Sequence, residues 1–115
     1  MIKDWNKLAN ELSARVGDVR AGAPEVMQGF SAMAKAATKD GALSEKTKEM
    51  IALALGIAAR CDGCLAFHCR ALVRLGATRV EVMETIGMAV YMGGGPSLMY
   101  GAMAEEAFDQ FSSNK

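Results

Sequence analysis

The sequence predicts an all-α protein: a bundle of about six helices in a single domain over residues 1–115. A length of 115 residues is typical of one domain. Apolar residues recur every three or four positions nearly throughout, which is the period of an amphipathic helix. The chain has only two prolines, and its β-branched residues never form an alternating run, so we expect no strands.

Two helices are predicted in the amino-terminal third. The first covers about residues 3–19, where one apolar stripe consists of Trp5, Leu8, Leu12 and Val16. A break follows at Gly22, and Pro24 suits the first turn of a second helix, which should stop at Asp40-Gly41. Its inward face is expected to hold Met27, Phe30, Met33, Ala34 and Ala37.

The third helix should begin after Ser44, because serine is a good N-cap. Glu45 follows in the first turn, where the helix dipole favours a negative charge. From Met50 to Ala59 the helix is apolar on all sides, which predicts that it is buried. The segment Cys61-Asp62-Gly63-Cys64 interrupts it.

Capping signals separate the last three helices. The fourth runs to about Leu75, with Gly76 as its left-handed cap. Thr78 and Glu81 form a capping box that opens the fifth helix. The fifth helix is apolar on more than one side, through Val80, Val82, Met83, Ile86, Ala89 and Val90. A run of three glycines ends it, and the sixth helix extends to about Phe111.

Composition limits the class of protein. The 13 basic and 13 acidic side chains balance, so neither nucleic acid nor an anionic membrane is an expected partner. The longest apolar run, Met50–Ala59, is too short to span a bilayer, and the segment MIKDWNKLANEL does not resemble a secretory signal. We therefore expect a cytoplasmic protein. Hydrophobic residues make up 51%, more than so short a chain can easily bury, which predicts a homo-oligomer.

The candidate chemistry lies in Cys61 and Cys64. In a reducing compartment a close cysteine pair indicates redox or metal chemistry. Cysteines at this spacing can reach the ~4.4–6.8 Å between Cα atoms that a disulfide requires. If Asp62 caps the fourth helix, Cys64 lies in its first turn, where the helix dipole stabilises a thiolate. Cys64 is then the better nucleophile and Cys61 the resolving thiol.

His68 is the only histidine, and it follows Cys64 by four residues and Cys61 by seven, so the three share one helix face. A neutral imidazole one turn from a thiol can accept its proton. A zinc site is an alternative, but these residues supply only three ligands, and no second such motif offers a fourth. Cys69 points roughly 140° away from Cys64 around the helix and is predicted to be a core residue.

Glu49, at the edge of the apolar run, is the candidate to orient and recharge the imidazole of His68. If the third and fourth helices pack antiparallel, Glu49 lies ~16 Å and His68 ~10 Å from the turn near Arg60. The spacing therefore allows a bridging water but does not indicate a direct contact. The alternative is that Glu49 belongs to the solvated first turns of its helix.

The stretch from about residue 43 to residue 108 resembles the AhpD-like, carboxymuconolactone decarboxylase-type family. The resemblance rests on the run EMIALALGIAARCDGCLAFHCRALVRLGAT, followed by VEVMETIGMAVYMGGGP. The family's active-site pattern is a glutamate, eleven residues, and then CxxCxxxH. In this chain the pattern falls on Glu49, Cys61, Cys64 and His68.

The resemblance implies an all-α bundle that assembles as trimers or hexamers and acts as an alkylhydroperoxidase-like peroxidase or a disulfide reductase. It implies Cys64 as the peroxidatic thiol, Cys61 as the resolving thiol, and Glu49 with His68 as a proton relay. No bound cofactor or metal is expected, and electrons would come from a lipoylated or thioredoxin-like dithiol protein. Some members have a histidine where this chain has Gly63. The chain is shorter than two-repeat members, which favours a hexamer over a trimer.

Two other functions remain open at this point. One is an enzyme of the same fold that decarboxylates or isomerises a small cyclic acid, although the decarboxylase branch does not use this thiol pair. The other is a non-catalytic helical assembly whose cysteines bind a metal or sense redox state. Tyr91 and Tyr100 flank the glycine break and are candidates for the wall of the pocket above the thiols. Arg60 and Arg70 would favour a thiolate only if they turned inward.

Overall fold

Six α-helices joined by short turns make up residues 1–114, the part of the chain that the computed structural model describes. They are α1 (Trp5–Gly22), α2 (Pro24–Thr38), α3 (Glu45–Ala58), α4 (Asp62–Arg74), α5 (Arg79–Gly93) and α6 (Gly95–Ser112). The prediction of an all-α chain of about six helices is therefore confirmed.

The hydrophobic core lies among α3, α4, α5 and α6, with the start of α1 closing one side. Its largest fully buried side chains are Trp5, Leu53, Ile57, Leu65, Leu72, Val82 and Cys69. Burying one such aliphatic side chain stabilises the fold by about 1.5–3 kcal/mol, so this cluster makes a large favourable contribution to folding. Because α3 and α4 both contribute to it, their relative position, which determines the geometry of the site, is fixed by the core.

Three of the local signals for helix ends, at Ser44, Gly76 and Thr78, are confirmed. The Ser44 hydroxyl accepts from the Thr47 N–H at the start of α3, and Thr78 with Glu81 forms the complete capping box of α5. Gly76 follows α4 with a φ of 77°, a left-handed conformation that glycine adopts without a steric cost. These ends were predictable because each depends on side chains only a few residues away.

The predicted inward face of α2 is wrong. None of the residues of α2 is buried, and the side chains of Phe30 and Met33 are 57% and 62% exposed. The helix packs against α1 and α3, and within residues 1–114 no other helix covers its apolar stripe. The periodicity located the stripe correctly but could not show whether this chain provides a surface to bury it.

The third and fifth helices are also less buried than their composition predicts. In α3, Leu53 and Ile57 are buried, whereas Ile51 and Leu55 are 46% and 65% exposed. In α5, the buried side chains are Val82, Ile86 and Ala89, whereas Val80, Met83, Met88, Tyr91 and Met92 are exposed. The apolar excess of the sequence therefore lies on the surface of the single chain, and the predicted homo-oligomer stays a prediction.

The segment before α1 is tied to α6 by hydrogen bonds. The carboxylate of Glu106 accepts from the backbone N–H of Ile2 at 2.7 Å, the backbone N–H of Lys3 at 2.9 Å and the indole N–H of Trp5 at 2.9 Å. Gln110 accepts from the Trp5 backbone N–H and donates to the Lys3 carbonyl. These bonds hold the start of α1 across α6.

Acid should weaken this attachment. The pKa of Glu106 lies below its usual 4.5 because the backbone N–H of Lys3, then that of Ile2, donates to the ionised carboxylate. A lowered pKa in the folded state adds stability that is present above pH 4.5 and lost as the pH falls through the lowered value. We expect the wild type to exceed Glu106→Gln in urea midpoint at pH 7, with the difference shrinking as the protein is acidified.

The control is Glu105→Gln, at the neighbouring residue of α6, which removes an ion pair with Arg79 of α5 and leaves the hydrogen bonds between Glu106 and the amino-terminal segment in place. A Glu106→Gln difference that stays constant with pH would show that the ionised carboxylate does not stabilise the segment.

Among residues 1–114, no helix is both long and apolar enough to cross a membrane.

Candidate active site

Cys61 and Cys64 form a disulfide at the start of α4. Their Cα atoms are 5.2 Å apart, within the range that disulfides require. Cys61 is the N-cap, and its sulfur accepts from the backbone N–H of Cys64 at 3.2 Å. Asp62 was expected to be the cap and is instead the first helical residue, because the helix begins one residue earlier. Cys64 nevertheless lies in the first turn.

The turn between α3 and α4 brings the cysteines against α3. Arg60 has a φ of 55°, a left-handed conformation that is uncommon outside glycine, and the backbone N–H of Cys61 donates to the Gly56 carbonyl. A Cβ atom at Gly56 would lie 2.8 Å from the Cβ of Cys64. Real Cβ atoms do not approach so closely, so glycine at this position is what lets the start of α4 touch α3.

Glu49 and His68 are in direct contact. Nδ1 of His68 lies 2.6 Å from Oε2 of Glu49, and the glutamate is only 6% exposed. The expectation of at most a bridging water is therefore corrected. It counted the rise along two helix axes but neither the close approach of the helices at Gly56 nor the reach of the two side chains. The solvated alternative for Glu49 is excluded by its burial.

This contact determines which ring nitrogen of His68 can accept a proton from a thiol. A carboxylate at Nδ1 favours the tautomer that carries its proton there and donates it to Glu49. Nε2 is then the ring nitrogen available to accept a proton. The imidazole is 31% exposed, so it joins the buried carboxylate to the accessible side of the site. His68 follows Cys64 by one turn of α4. The four predicted residues therefore form two pairs: the Cys61–Cys64 disulfide at the start of α4, and the hydrogen bond between Glu49 on α3 and His68 on α4.

Cys69 is a core residue, as predicted. Its side chain is fully buried, and its thiol donates to the Ala104 carbonyl at 3.4 Å. Burial raises the pKa of this thiol from 9.0 to about 12, because a thiolate there would lose its solvation. At neutral pH it is therefore protonated and a poor nucleophile.

Sequence reasoning missed the contacts that α1 makes with the turn between the cysteines. Asp62 forms an ion pair with Lys3, and a Cβ at Gly63 would lie 2.7 Å from Leu12 Cδ2. A groove of about 980 Å³ runs between α1 and this turn. The partners are separated by about half the chain, and no local pattern could have indicated their contact.

The two tyrosines and two arginines that the sequence suggested are not assigned a role in the site. Tyr91 is 78% exposed, and Tyr100 is partly buried against the hydrophobic core. Arg60 and Arg70 are exposed, and the guanidinium of Arg70 stacks over the Phe67 ring. Across residues 1–114, no group of three histidine, cysteine, aspartate or glutamate side chains is positioned to hold a metal ion.

Together the fold and the site define a class: a small all-α protein with a cysteine pair at a helix start and a buried carboxylate–imidazole contact beside it. The sequence model of the carboxymuconolactone decarboxylase family matches residues 24–106. The chain therefore belongs to the carboxymuconolactone decarboxylase family. The matched range contains all four predicted site residues and excludes α1.

Similar proteins come from several bacteria. A crystal structure of an apo carboxymuconolactone decarboxylase family protein from Legionella pneumophila is 56% identical, with a TM-score of 0.92, and covers 94% of this chain and 96% of its own. An uncharacterized protein of Cupriavidus necator is 35% identical over 98% of this chain and 100% of its own length. An uncharacterized protein in the cox locus of Paracoccus denitrificans is 31% identical over 85% and 88%, respectively.

Proposed function

We propose that this protein is an oxidoreductase, a thiol-dependent peroxidase of the alkylhydroperoxidase type or a disulfide reductase. The observation that carries the proposal is the Cys61–Cys64 disulfide at the start of α4, on the same helix as a histidine that is bonded to a buried carboxylate. A reversible disulfide and a proton relay are the two parts that this chemistry requires.

Cys64 is the attacking thiol in this proposal. It lies in the first turn of α4, where the positive end of the helix dipole stabilises a thiolate, and His68 follows it by one turn. Its sulfur is bonded to the sulfur of Cys61, so Cys61 is close enough to resolve an oxidised Cys64. Cys69 takes no part, because its thiol is buried and protonated.

Peroxide reduction would proceed in two steps. The Cys64 thiolate attacks the terminal peroxide oxygen, the O–O bond breaks, and the alkoxide leaves as an alcohol after taking a proton. Cys64 is then a sulfenic acid. The Cys61 thiol attacks that sulfur, the S–O bond breaks, and water leaves as the disulfide forms. The dithiol loses two electrons and two protons, and the hydroperoxide becomes alcohol and water.

His68 and Glu49 would move the protons. Nε2 of His68 accepts a proton as a thiol ionises and returns it to the departing oxygen, while Glu49 holds the ring through Nδ1. An external dithiol, on a lipoylated or thioredoxin-like protein, would then reduce the disulfide by thiol–disulfide exchange. Neither step needs a bound cofactor.

A decarboxylase or isomerase acting on a small cyclic acid is the second candidate, and the family name favours it. It would make no use of the disulfide, which is why we place it second. A non-catalytic assembly that senses redox state would use the disulfide but leave the buried Glu49–His68 contact without a role.

We also propose that the protein works in the cytoplasm as a homo-oligomer, with a hexamer favoured over a trimer. The exposed apolar side chains of α2, α3 and α5 support an assembly that covers them. A reducing compartment supports a cysteine pair that must be returned to the dithiol form after each turnover.

The test is a thiol count on the fully reduced protein. One equivalent of cumene hydroperoxide should remove two of the three thiols, and peptide mapping should place the new disulfide between Cys61 and Cys64 with Cys69 free. If only oxidised lipoamide removes the two thiols, the protein is a disulfide reductase. If neither oxidant changes the count, the proposed function is wrong.

A further inference from the structure

Asp62 places a carboxylate between the two redox cysteines. It is the first residue of α4, directly after Cys61 and two positions before Cys64. An anion there opposes a thiolate on either neighbour, because both negative charges occupy the same helix start. The chain thus carries an unfavourable charge at the point where the proposed chemistry needs a thiolate.

Lys3 supplies the opposite charge from outside α4. Its ammonium is paired with the Asp62 carboxylate, and the two side chains are 39% and 31% exposed. The same ammonium lies 5.7 Å from the centroid of the Trp5 ring. A partly desolvated ion pair with a fixed geometry is screened less than one between freely moving surface side chains.

The position of Lys3 is fixed by its backbone. Its N–H donates to Glu106, and its carbonyl accepts from Gln110, so both main-chain groups are bonded to α6. Trp5, two residues on, is fully buried. The segment that carries the ammonium is therefore anchored independently of Asp62, and the ion pair holds the carboxylate on the α1 side of the turn.

From these contacts we propose that Lys3 is a positioning residue that sets the reduction potential of the Cys61–Cys64 pair by holding and neutralising Asp62. This inference rests on the proposed dithiol–disulfide chemistry. Stabilising the thiolate stabilises the reduced protein and makes its disulfide easier to reduce. Without Lys3, the free carboxylate disfavours the thiolate, and the equilibrium moves towards the disulfide.

The experiment equilibrates the protein with mixtures of reduced and oxidised dithiothreitol at low ionic strength. The disulfide of the protein takes two electrons and two protons from the reference dithiol, which becomes a cyclic disulfide. Lys3→Met should shift the equilibrium about two- to fivefold towards the protein disulfide, or about 10–20 mV for a two-electron couple. Asp62→Asn should shift it in the opposite direction, and added salt should reduce both effects.

Four controls separate this role from a merely structural one. Lys3→Arg keeps the charge and should restore the wild-type equilibrium. Lys7 lines the same groove but is not the partner of Asp62, so Lys7→Met should leave the dithiol–disulfide equilibrium unchanged. In the Asp62→Asn background, Lys3→Met should lose most of its effect. Emission from Trp5, the only tryptophan, reports whether the segment stays docked.

The rate of alkylation by iodoacetamide as a function of pH gives a second readout, since only the thiolate reacts. Lys3→Met should move the profile of the reactive thiol to higher pH. An unchanged equilibrium and profile in Lys3→Met would overturn the inference, as would a full Lys3 effect without Asp62. Neither measurement uses a hydroperoxide or lipoamide. A protein whose thiols neither of those oxidants removes would refute the proposed function, and the dithiothreitol equilibrium of the same protein would still test this inference.

Discussion

Replacing Cys64 with serine should abolish hydroperoxide turnover, with a loss of about 10³-fold or more, as expected when a nucleophile is removed. The reduced variant has two thiols, and one equivalent of hydroperoxide should leave both free, because Cys61 is two helix turns from His68 instead of one and Cys69 is buried. The measurement is the thiol count before and after the oxidant, together with the rate of hydroperoxide loss in the presence of excess dithiothreitol.

Cys61→Ser separates attack from resolution. This variant should still be oxidised once at Cys64, and the sulfenic acid should persist and be trapped by dimedone, because no neighbouring thiol completes the disulfide. Cys69→Ala is the matched control for loss of a thiol outside the site, and it should keep wild-type turnover in the fraction that folds. If Cys61→Ser blocks oxidation and Cys64→Ser does not, the two cysteines exchange roles.

Much of this site was predictable because its signals are local. The spacing of Cys61, Cys64 and His68 places them on adjacent turns of any helix that contains them. The predicted helix start was wrong by one residue, yet Cys64 stayed in the first turn, where its thiolate is favoured. Cys69 was assigned to the core by the angle between residues on one helix, which does not depend on the rest of the fold.

What could not be predicted depends on how helices cross. The Glu49–His68 contact requires α3 and α4 to approach closely, which the glycine at position 56 permits and no periodicity reveals. The Lys3–Asp62 ion pair joins the amino-terminal segment to the start of α4, and it depends on the docking of Trp5 onto α6 through its hydrogen bond to Glu106. The outward face of α2 was missed for a similar reason: a stripe shows that a surface is apolar and not what covers it.

Glu49→Gln should have the second-largest effect on activity. The amide has nearly the same shape and can still accept the Nδ1–H of His68, but it has no charge with which to stabilise the ring when the ring takes a proton. We expect peroxide turnover to fall about 10²- to 10⁴-fold, the usual contribution of a positioned acid–base group. Because both sulfurs are retained, the variant should still form the Cys61–Cys64 disulfide with a strong chemical oxidant.

The matched control is Glu45→Gln, one turn earlier on α3, which loses a surface ion pair with Arg74 and should keep wild-type turnover. Thermal unfolding of both variants distinguishes catalysis from stability, since Glu49 is buried and Glu45 is not. A Glu49→Gln protein that unfolds like the wild type and loses turnover would support a role for the carboxylate in moving the proton. One that keeps full turnover would reduce the Glu49–His68 contact to a structural hydrogen bond and leave His68 to act alone.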